Sequence, residues 1–356
     1  MSGQGRGSGG ECGKGSEWGK TECSQSPQIA KSDVDACRLA RSAVIILLAA
    51  FALTNCNASR KKVIGVVPKG TSHLFWQSVQ AGVVAAGRDL GVEVLWNGPA
   101  QETEYSRQLE IVDSMIARRV DGLAVAAADR KALNVSLNRA AAAGIPVTVF
   151  DSGVDSTNYM TFIATNNYAG GQMAARKLAE LIGGKGAVAM VMHAPGSAST
   201  MDREKGFEDV MAKEFPGVHI VQKQFGMSDR SKAMAAAENI LTAHPNLNGI
   251  FASSEPSSVG TGLALKSRGV SGKIKFVAFD ASEGMIEDLK GGTIDAVVAQ
   301  DPFRMGYEAV KSLIDKLGGK TPPKVMDLNA RVITKADLDK PDIKALLYPD
   351  IKKYLN

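Results

Sequence analysis

From Val63 onward one unit recurs along the chain: an apolar run of strand length, a turn, then an amphipathic stretch of helical period. The first runs fall at 63–67, 92–96, 122–126 and 146–150, with helical stretches at 75–90, 104–118 and 131–143 between them. A spacing of about 25–30 residues is what right-handed crossovers between parallel strands need. Gly91 and Gly144 stand where two helices should end in a left-handed residue. A short extended piece at 160–164 closes this half, and the pattern restarts. Helices are predicted at 168–182, 202–215, 231–243, 258–268 and 283–290, and strands at 187–192, 219–222, 249–252, 275–279 and 295–299. A further helix at 305–317 and a strand at 325–328 follow. The tail, 334–356, carries a short helical pattern and should pack near the junction of the halves. The pattern predicts an α/β protein of two doubly wound, parallel-sheet, Rossmann-like lobes. The first lobe takes 60–164 and 302–328; the second takes 165–301 and 329–356, its last residues forming a C-terminal extension.

What precedes this body reads differently. Residues 1–33 are rich in Gly, Ser, Gln and Lys and lack periodic apolar positions, a composition that does not bury enough surface to fold. Translation from near Val34 is an alternative start. Arg38 and Arg41 then precede an uninterrupted apolar run at 43–53, too short to span a bilayer but of signal-peptide length. It ends Leu53-Thr54-Asn55-Cys56, which resembles a bacterial lipoprotein box with Cys56 as the acylated residue. Cleavage after Ala58 and an uncleaved helical anchor are the alternatives. All three put the body outside the cytoplasm, in the periplasm or on the outer face of the cell membrane, with residues 1–56 as leader and signal segment.

Composition excludes several function classes. The formal charge is +5 and the chain beyond residue 60 carries +3, with no basic stripe of the kind nucleic acid requires. The four cysteines, Cys12, Cys23, Cys37 and Cys56, all precede the body, which therefore has no disulfide or thiolate metal site of its own. No phosphate loop is present: Gly318-Gly319-Lys320-Thr321 follows a helix, with Ile314 where the first glycine would stand. Gly260-Thr261-Gly262 does not open a dinucleotide turn. Asp151 to Asp155 lacks the glutamate of a calcium loop, and no nucleophile elbow is found. His73, His193, His219 and His244 lack metal-ligand spacing, and each singly reads as a surface or turn residue. No cofactor is expected.

The positive signals lie at strand ends. In an open α/β sheet, ligands sit beyond the carboxyl ends of the strands. The turn after the first strand carries Lys69, Thr71, His73, Phe75 and Trp76. Adjacent aromatics beside a cation and hydrogen-bonding groups suit a small polyhydroxylated ligand, whose C–H faces stack on rings; capping of the core under the first helix is the alternative. Asp151-Ser152 follow the fourth strand, Ser253-Ser254-Glu255 the run at 249–252, Asp280 the run at 275–279 and Gln300-Asp301 the run at 295–299. Arg203 is expected in the first turn of a helix. As alternatives, Asp151 and Asp280 could be helix caps, Gln300 a backbone partner and Arg203 a surface charge. Recurrence in both halves favours a site shared between them.

The segments VIGVVPKGTSHLFWQSVQAG, GIPVTVFDSG, FIATNNYAGGQMAA, GSASTMDREKGF, KFVAFDAS and DAVVAQDPFRMGYEAV occur in the order found in the solute-binding proteins of bacterial sugar ABC importers. From about Lys62 onward the chain resembles the ribose/galactose-type group, whose lobes are joined by three crossovers. The resemblance implies a monomer that closes on a monosaccharide or polyol and hands it to a membrane permease, touching the membrane only through a lipid anchor. Residue by residue, Phe75 and Trp76 match the aromatic pair that sandwiches the sugar. Asp151, Asp280, Arg203 and Gln300 match hydroxyl-binding positions. Ser152 stands where ribose binders have arginine, His73 where asparagine is usual, Ser254-Glu255 in place of Asn-Asp, and Ser228 in place of an aromatic; these departures argue against ribose itself. Pro68-Lys69 and Gln224-Phe225-Gly226 resemble relatives that bind furanose signals or deoxysugars, making Lys69 a candidate contact. A receptor acting through a sensor or chemoreceptor is the alternative within the class. A lactose-repressor-type effector domain shares the fold but needs a DNA-binding N-terminus, and a sugar-modifying enzyme would need Asp151 and Asp280 poised for acid/base work.

Overall fold

The computed structural model describes residues 60–355. The leader and signal segment, the alternative cleavage points and all four cysteines, Cys56 included, lie outside the described residues.

β-Branched, apolar runs form the inner strands because both faces of these are covered by helices. In the first lobe the strands are β1 (Val63–Val67), β2 (Glu93–Trp96), β3 (Gly122–Val125), β4 (Val147–Phe150) and β5 (Thr161–Thr165). They alternate with α1 (Leu74–Asp89), α2 (Tyr105–Ala117) and α3 (Asn134–Ala142). The second lobe runs α4 (Asn167–Leu181), β6 (Gly186–Met192), α5 (Ala198–Glu214), β7 (Val218–Phe225), α6 (Arg230–Ala243), β8 (Gly249–Ala252), α7 (Glu255–Ser267), β9 (Lys275–Phe279), α8 (Glu283–Gly291) and β10 (Ala296–Ala299). The chain then returns through α9 (Pro302–Leu317) and β11 (Val325–Leu328), and finishes with β12 (Arg331–Ile333), α10 (Pro341–Leu347) and α11 (Lys352–Leu355).

The two sheets have the same topology. Their orders are β11-β5-β4-β3-β1-β2 and β12-β10-β9-β8-β6-β7, so β1 corresponds to β6, β3 to β8 and β4 to β9. Every pairing is parallel except β10 with β12. The chain passes between the sheets three times, at 165–167, 299–302 and 328–331. Each lobe also contains one very close helix pair. A Cβ on Gly82 of α1 would lie 1.9 Å from the Phe303 carbonyl oxygen of α9, and one on Gly171 of α4 would lie 1.9 Å from that of Arg203 on α5. Only glycine permits these crossings, and the second sets the height of the helix that carries Arg203.

Gly91 and Gly144 end their helices at φ 67° and 71°, as the sequence predicts. Three boundaries differ in ways that matter. α5 starts at Ala198, so Arg203 sits in its second turn rather than its first. α7 starts at Glu255, which places that residue at a helix N-terminus. β12 was not expected, because three residues beginning with Arg331 carry no strand pattern until β10 pairs with them. The tail is also divided. Ile343 enters the second lobe's core, but α11 lies on α1, where Arg88 Nη1 donates to the Lys353 carbonyl at 2.9 Å. Tyr354 packs 5.5 Å from Phe303, centroid to centroid. Residues 352–355 therefore sit on the first lobe, not with the second to which the sequence assigned 329–356.

Candidate functional site

The carboxyl ends of both sheets face one hollow between the lobes. β1 leads into Lys69 and, through the turn to α1, His73, Phe75 and Trp76. β4 ends at Asp151, β9 at Asp280 and β10 at Gln300; α7 opens with Ser254 as cap and Glu255 as first residue; Arg203 projects from α5. All ten line the hollow, together with Glu102, His193, Thr200 and Pro256. The hollow measures about 20 Å³, room for roughly one water molecule. Ser152 is the exception among the sequence candidates. It is fully buried but does not line the hollow; its Oγ accepts from the Ser199 backbone N–H at 3.3 Å, tying the first lobe to the start of α5.

Lys69 is buried at the centre. Its ammonium lies 3.3 Å from Asp151 Oδ2 and 3.6 Å from Glu102 Oε2, and donates across the lobes to Ser197 Oγ and Ser199 Oγ, both at 3.3 Å. Burial disfavours its charge, but the two carboxylates outweigh that and raise its pKa, so it stays an ammonium. Asp151 is pushed up by burial, since its main counter-charge, Lys69, is shared.

Glu102, which the sequence reading missed, has four partners, as many as Lys69. Its Oε1 accepts from Trp76 Nε1 at 2.8 Å and faces His73 Nδ1 at 3.1 Å; its Oε2 faces His193 Nε2 at 2.9 Å. Burial would raise its pKa, yet Lys69, His193 and His73 together hold the carboxyl well below the usual range. It lies in the polar loop between β2 and α2, where no periodicity marks a site. His193 did carry a signal, because it immediately follows β6. His73 does lie in the turn before α1, but it and His193 are both buried against Glu102 rather than at the surface. His219 is exposed.

On the other wall, Arg203 Nε donates to Asn167 Oδ1 at 2.8 Å and Nη1 to the Ser253 carbonyl at 3.0 Å, with the guanidinium 3.9 Å over the Phe279 ring. Asp280 Oδ2 is 3.9 Å from Arg203 and accepts from the Glu255 N–H at 2.9 Å, while Oδ1 accepts from Gln300 Nε2 at 2.7 Å. Gln300 Oε1 and Glu255 Oε2 are buried without a hydrogen-bond partner, so both are acceptors available to a guest. Glu255 Oε1 takes the Arg230 guanidinium.

The aromatic pair needs a correction. Phe75 and Trp76 lie 5.0 Å apart with their planes at 89°, and Trp76 is 1% exposed in the core beside Phe150. Perpendicular neighbours do not form two parallel walls of a sandwich. Among the described residues, no cluster of His, Cys, Asp and Glu could hold a metal, and no helix is long and apolar enough to cross a membrane.

Two equivalent lobes, three crossings and a polar hollow between facing strand ends define a bilobal solute-binding protein. Residues 64–321 match the periplasmic binding protein domain family, and the chain belongs to it. This is a family of exported, sugar-binding transport proteins rather than of enzymes. The chain is 28% identical over 305 residues to the ribose import binding protein of Bacillus subtilis (strain 168), covering 82% of this chain and 97% of that protein. It is also 28% identical over 295 residues to the D-ribose/D-allose-binding protein of Pseudomonas aeruginosa, covering 78% and 92%. Among solved structures it resembles a carbohydrate transporter solute-binding protein from Agrobacterium radiobacter in complex with D-arabinose, at 31% identity and a TM-score of 0.80, over 82% of this chain and all of that one. An Agrobacterium vitis solute-binding protein with bound D-fucose gives 32% and 0.78, over 80% and 100%.

Proposed function

We propose that the chain is the exported solute-binding protein of an ABC sugar importer, capturing a monosaccharide or polyol between its lobes and delivering it to the permease. The observation that carries this reading is convergence: first-lobe Lys69, His73, Trp76 and Asp151 and second-lobe Arg203, Glu255, Asp280 and Gln300 line one hollow. A hollow of about 20 Å³ is far smaller than a sugar, so a ligand enters as the lobes part about the three crossings. Closure then satisfies hydroxyls from both sides in a site shielded from water, where each hydrogen bond is strengthened. Carboxylates accept from hydroxyls, and Lys69 and Arg203 donate to ring and hydroxyl oxygens. We assign ligand contact to Lys69, His73, Phe75, Trp76, Asp151, Arg203, Ser254, Glu255, Asp280 and Gln300, and a supporting role to Ser152. The protein acts as a monomer and binds without catalysis.

A thermal-shift screen against pentoses, hexoses, deoxysugars and polyols tests the reading, because a ligand that binds only the folded state raises the melting temperature. A flat response to every class would refute it. The sequence at 38–56 supports anchoring through Cys56; Cys56→Ser should then move the protein from the membrane to the soluble fraction, and an unchanged distribution rejects acylation there.

A further inference from the structure

Resting on that reading, one cluster has a property that ligand contact alone does not account for. Glu102 belongs to the first lobe and His193 to the second, and they meet at 2.9 Å. Glu102 also holds three first-lobe groups: Trp76 by its indole N–H, His73 through Nδ1, and Lys69 at 3.6 Å. Its four partners exhaust a carboxylate's usual acceptor capacity. Parting the lobes keeps the three first-lobe contacts and removes only His193. The second lobe prepares His193 for this role, since Ser254 Oγ sits 2.9 Å from its Nδ1 and its backbone N–H donates to Glu204 at 3.1 Å. The ring is thus held between the Ser254 hydroxyl at Nδ1 and the Glu102 carboxylate at Nε2.

We propose that Glu102 is the positioning residue of the ligand site and that its contact with His193 is a latch coupling closure of the lobes to release of a proton. In the open form His193 is solvated and titrates near the ordinary imidazole value, about 6.5. In the closed form it is buried and faces the Lys69 ammonium and His73 as well as Glu102; burial dominates and lowers its pKa. Acid therefore protonates His193 preferentially in the open form and opposes closure. Of the other charged groups nearby, Lys69 gives up its contacts with Ser197 and Ser199 on opening and His73 moves away from Glu255 and Arg230, but each keeps its strongest counter-charge within its own lobe. His73 and Lys69 stay with Glu102, Glu204 stays with Ser253, and Glu255 stays with Arg230.

The test uses the full chain. In the absence of sugar, small-angle scattering between pH 8 and 5 should show the radius of gyration rising as pH falls in the wild type. His193→Gln, which keeps a donor for Glu102 but does not titrate, should lose that response. With whichever of D-arabinose, D-ribose or D-allose binds, affinity should fall about tenfold from pH 7.5 to 5.5 for one linked proton, and stay level in His193→Gln. Glu102→Gln should weaken binding at every pH but keep the step, because burial lowers the His193 pKa and Glu102 only opposes that. Sugar binding with a wild-type pH profile no steeper than that of His193→Gln overturns the latch, and unchanged affinity in Glu102→Gln overturns the positioning role. A pH-dependent radius with no sugar bound keeps the latch and defeats the ligand reading instead.

Discussion

Asp151 and Asp280 are counterparts: each follows the equivalent strand of its lobe by one residue, and each is in the left-handed region, at φ 57° and 69°. Asp tolerates that conformation better than most residues. The turn lets each carboxylate leave its strand end into the hollow rather than cap the following helix. Asp280 receives two donors from its own lobe, whereas Asp151 has Lys69. The two lobes thus present the same residue type by the same backbone device, with different wiring.

Asp280→Ala should strand the Gln300 amide and the Glu255 N–H, which now share its carboxylate. An affinity loss of about 2–3 kcal/mol is expected, of the size found when buried donors lose a charged partner. Titration calorimetry with a sugar selected in the screen measures it, and wild-type affinity would remove Asp280 from the site.

Trp76 is both core and site, so the choice of substitution decides what is learned. Trp76→Ala should destabilise the first lobe by roughly 3–5 kcal/mol through the cavity left beside Phe150. Trp76→Phe keeps a ring but deletes the N–H that Glu102 accepts. It should lower affinity by about 1–2 kcal/mol with a small change in melting temperature. Normal binding by the Phe variant would show that the indole N–H is not needed to set the site.

Gly196, at φ 87° in the loop after β6, crosses to the first lobe, where its carbonyl accepts from the Arg130 N–H at 2.9 Å. A Cβ there would meet Asp129 Oδ2 at 2.1 Å. Gly196→Ala should therefore obstruct closure more than folding. Affinity should drop at least tenfold while unfolding free energy falls by only about 1–2 kcal/mol, the cost of a left-handed alanine. Equal losses in both quantities, or none in affinity, would contradict this.

Glu204 is buried beneath His193 and its carboxyl is pushed up to about 7 by burial, despite donors from Ser253 and the His193 backbone. A carboxyl whose folded pKa exceeds its unfolded value favours the folded state at low pH. That contribution is whole below about 4.5 and is lost as pH rises through about 7, by roughly 3 kcal/mol at about 1.4 kcal/mol per unit. The amide of Glu204→Gln accepts the same bonds without titrating. Urea unfolding at pH 5 and pH 8 should show the variant gaining on the wild type as pH rises; parallel curves would show that Glu204 ionises without cost.

How much of the site was legible depended on where each residue sits along its element. Asp151, Asp280 and Gln300 follow apolar runs directly and Ser254 by one further residue, and strand ends face the cleft in any doubly wound lobe. His193 obeys the same rule after β6, so its burial was readable by a criterion applied evenly to every strand. Glu102 was not readable, because it lies six residues beyond Trp96 in a loop of no period. Ser152 followed a strand yet turned to Ser199, which only the approach of α5 could reveal.

The chain's own order of apolar runs, turns and amphipathic stretches dictated two parallel-sheet lobes and named most of the strand-end residues, because alternation and helical period are local properties that neighbouring residues impose on one another. Tertiary structure alone decided which distant groups meet. Glu102 and His193, 91 positions apart, are brought into contact by the three crossings that fold one lobe over the other. The perpendicular setting of Phe75 and Trp76 and the return of Tyr354 to the first lobe have the same origin. Packing across the interface settles such contacts, and no periodicity along the chain encodes it.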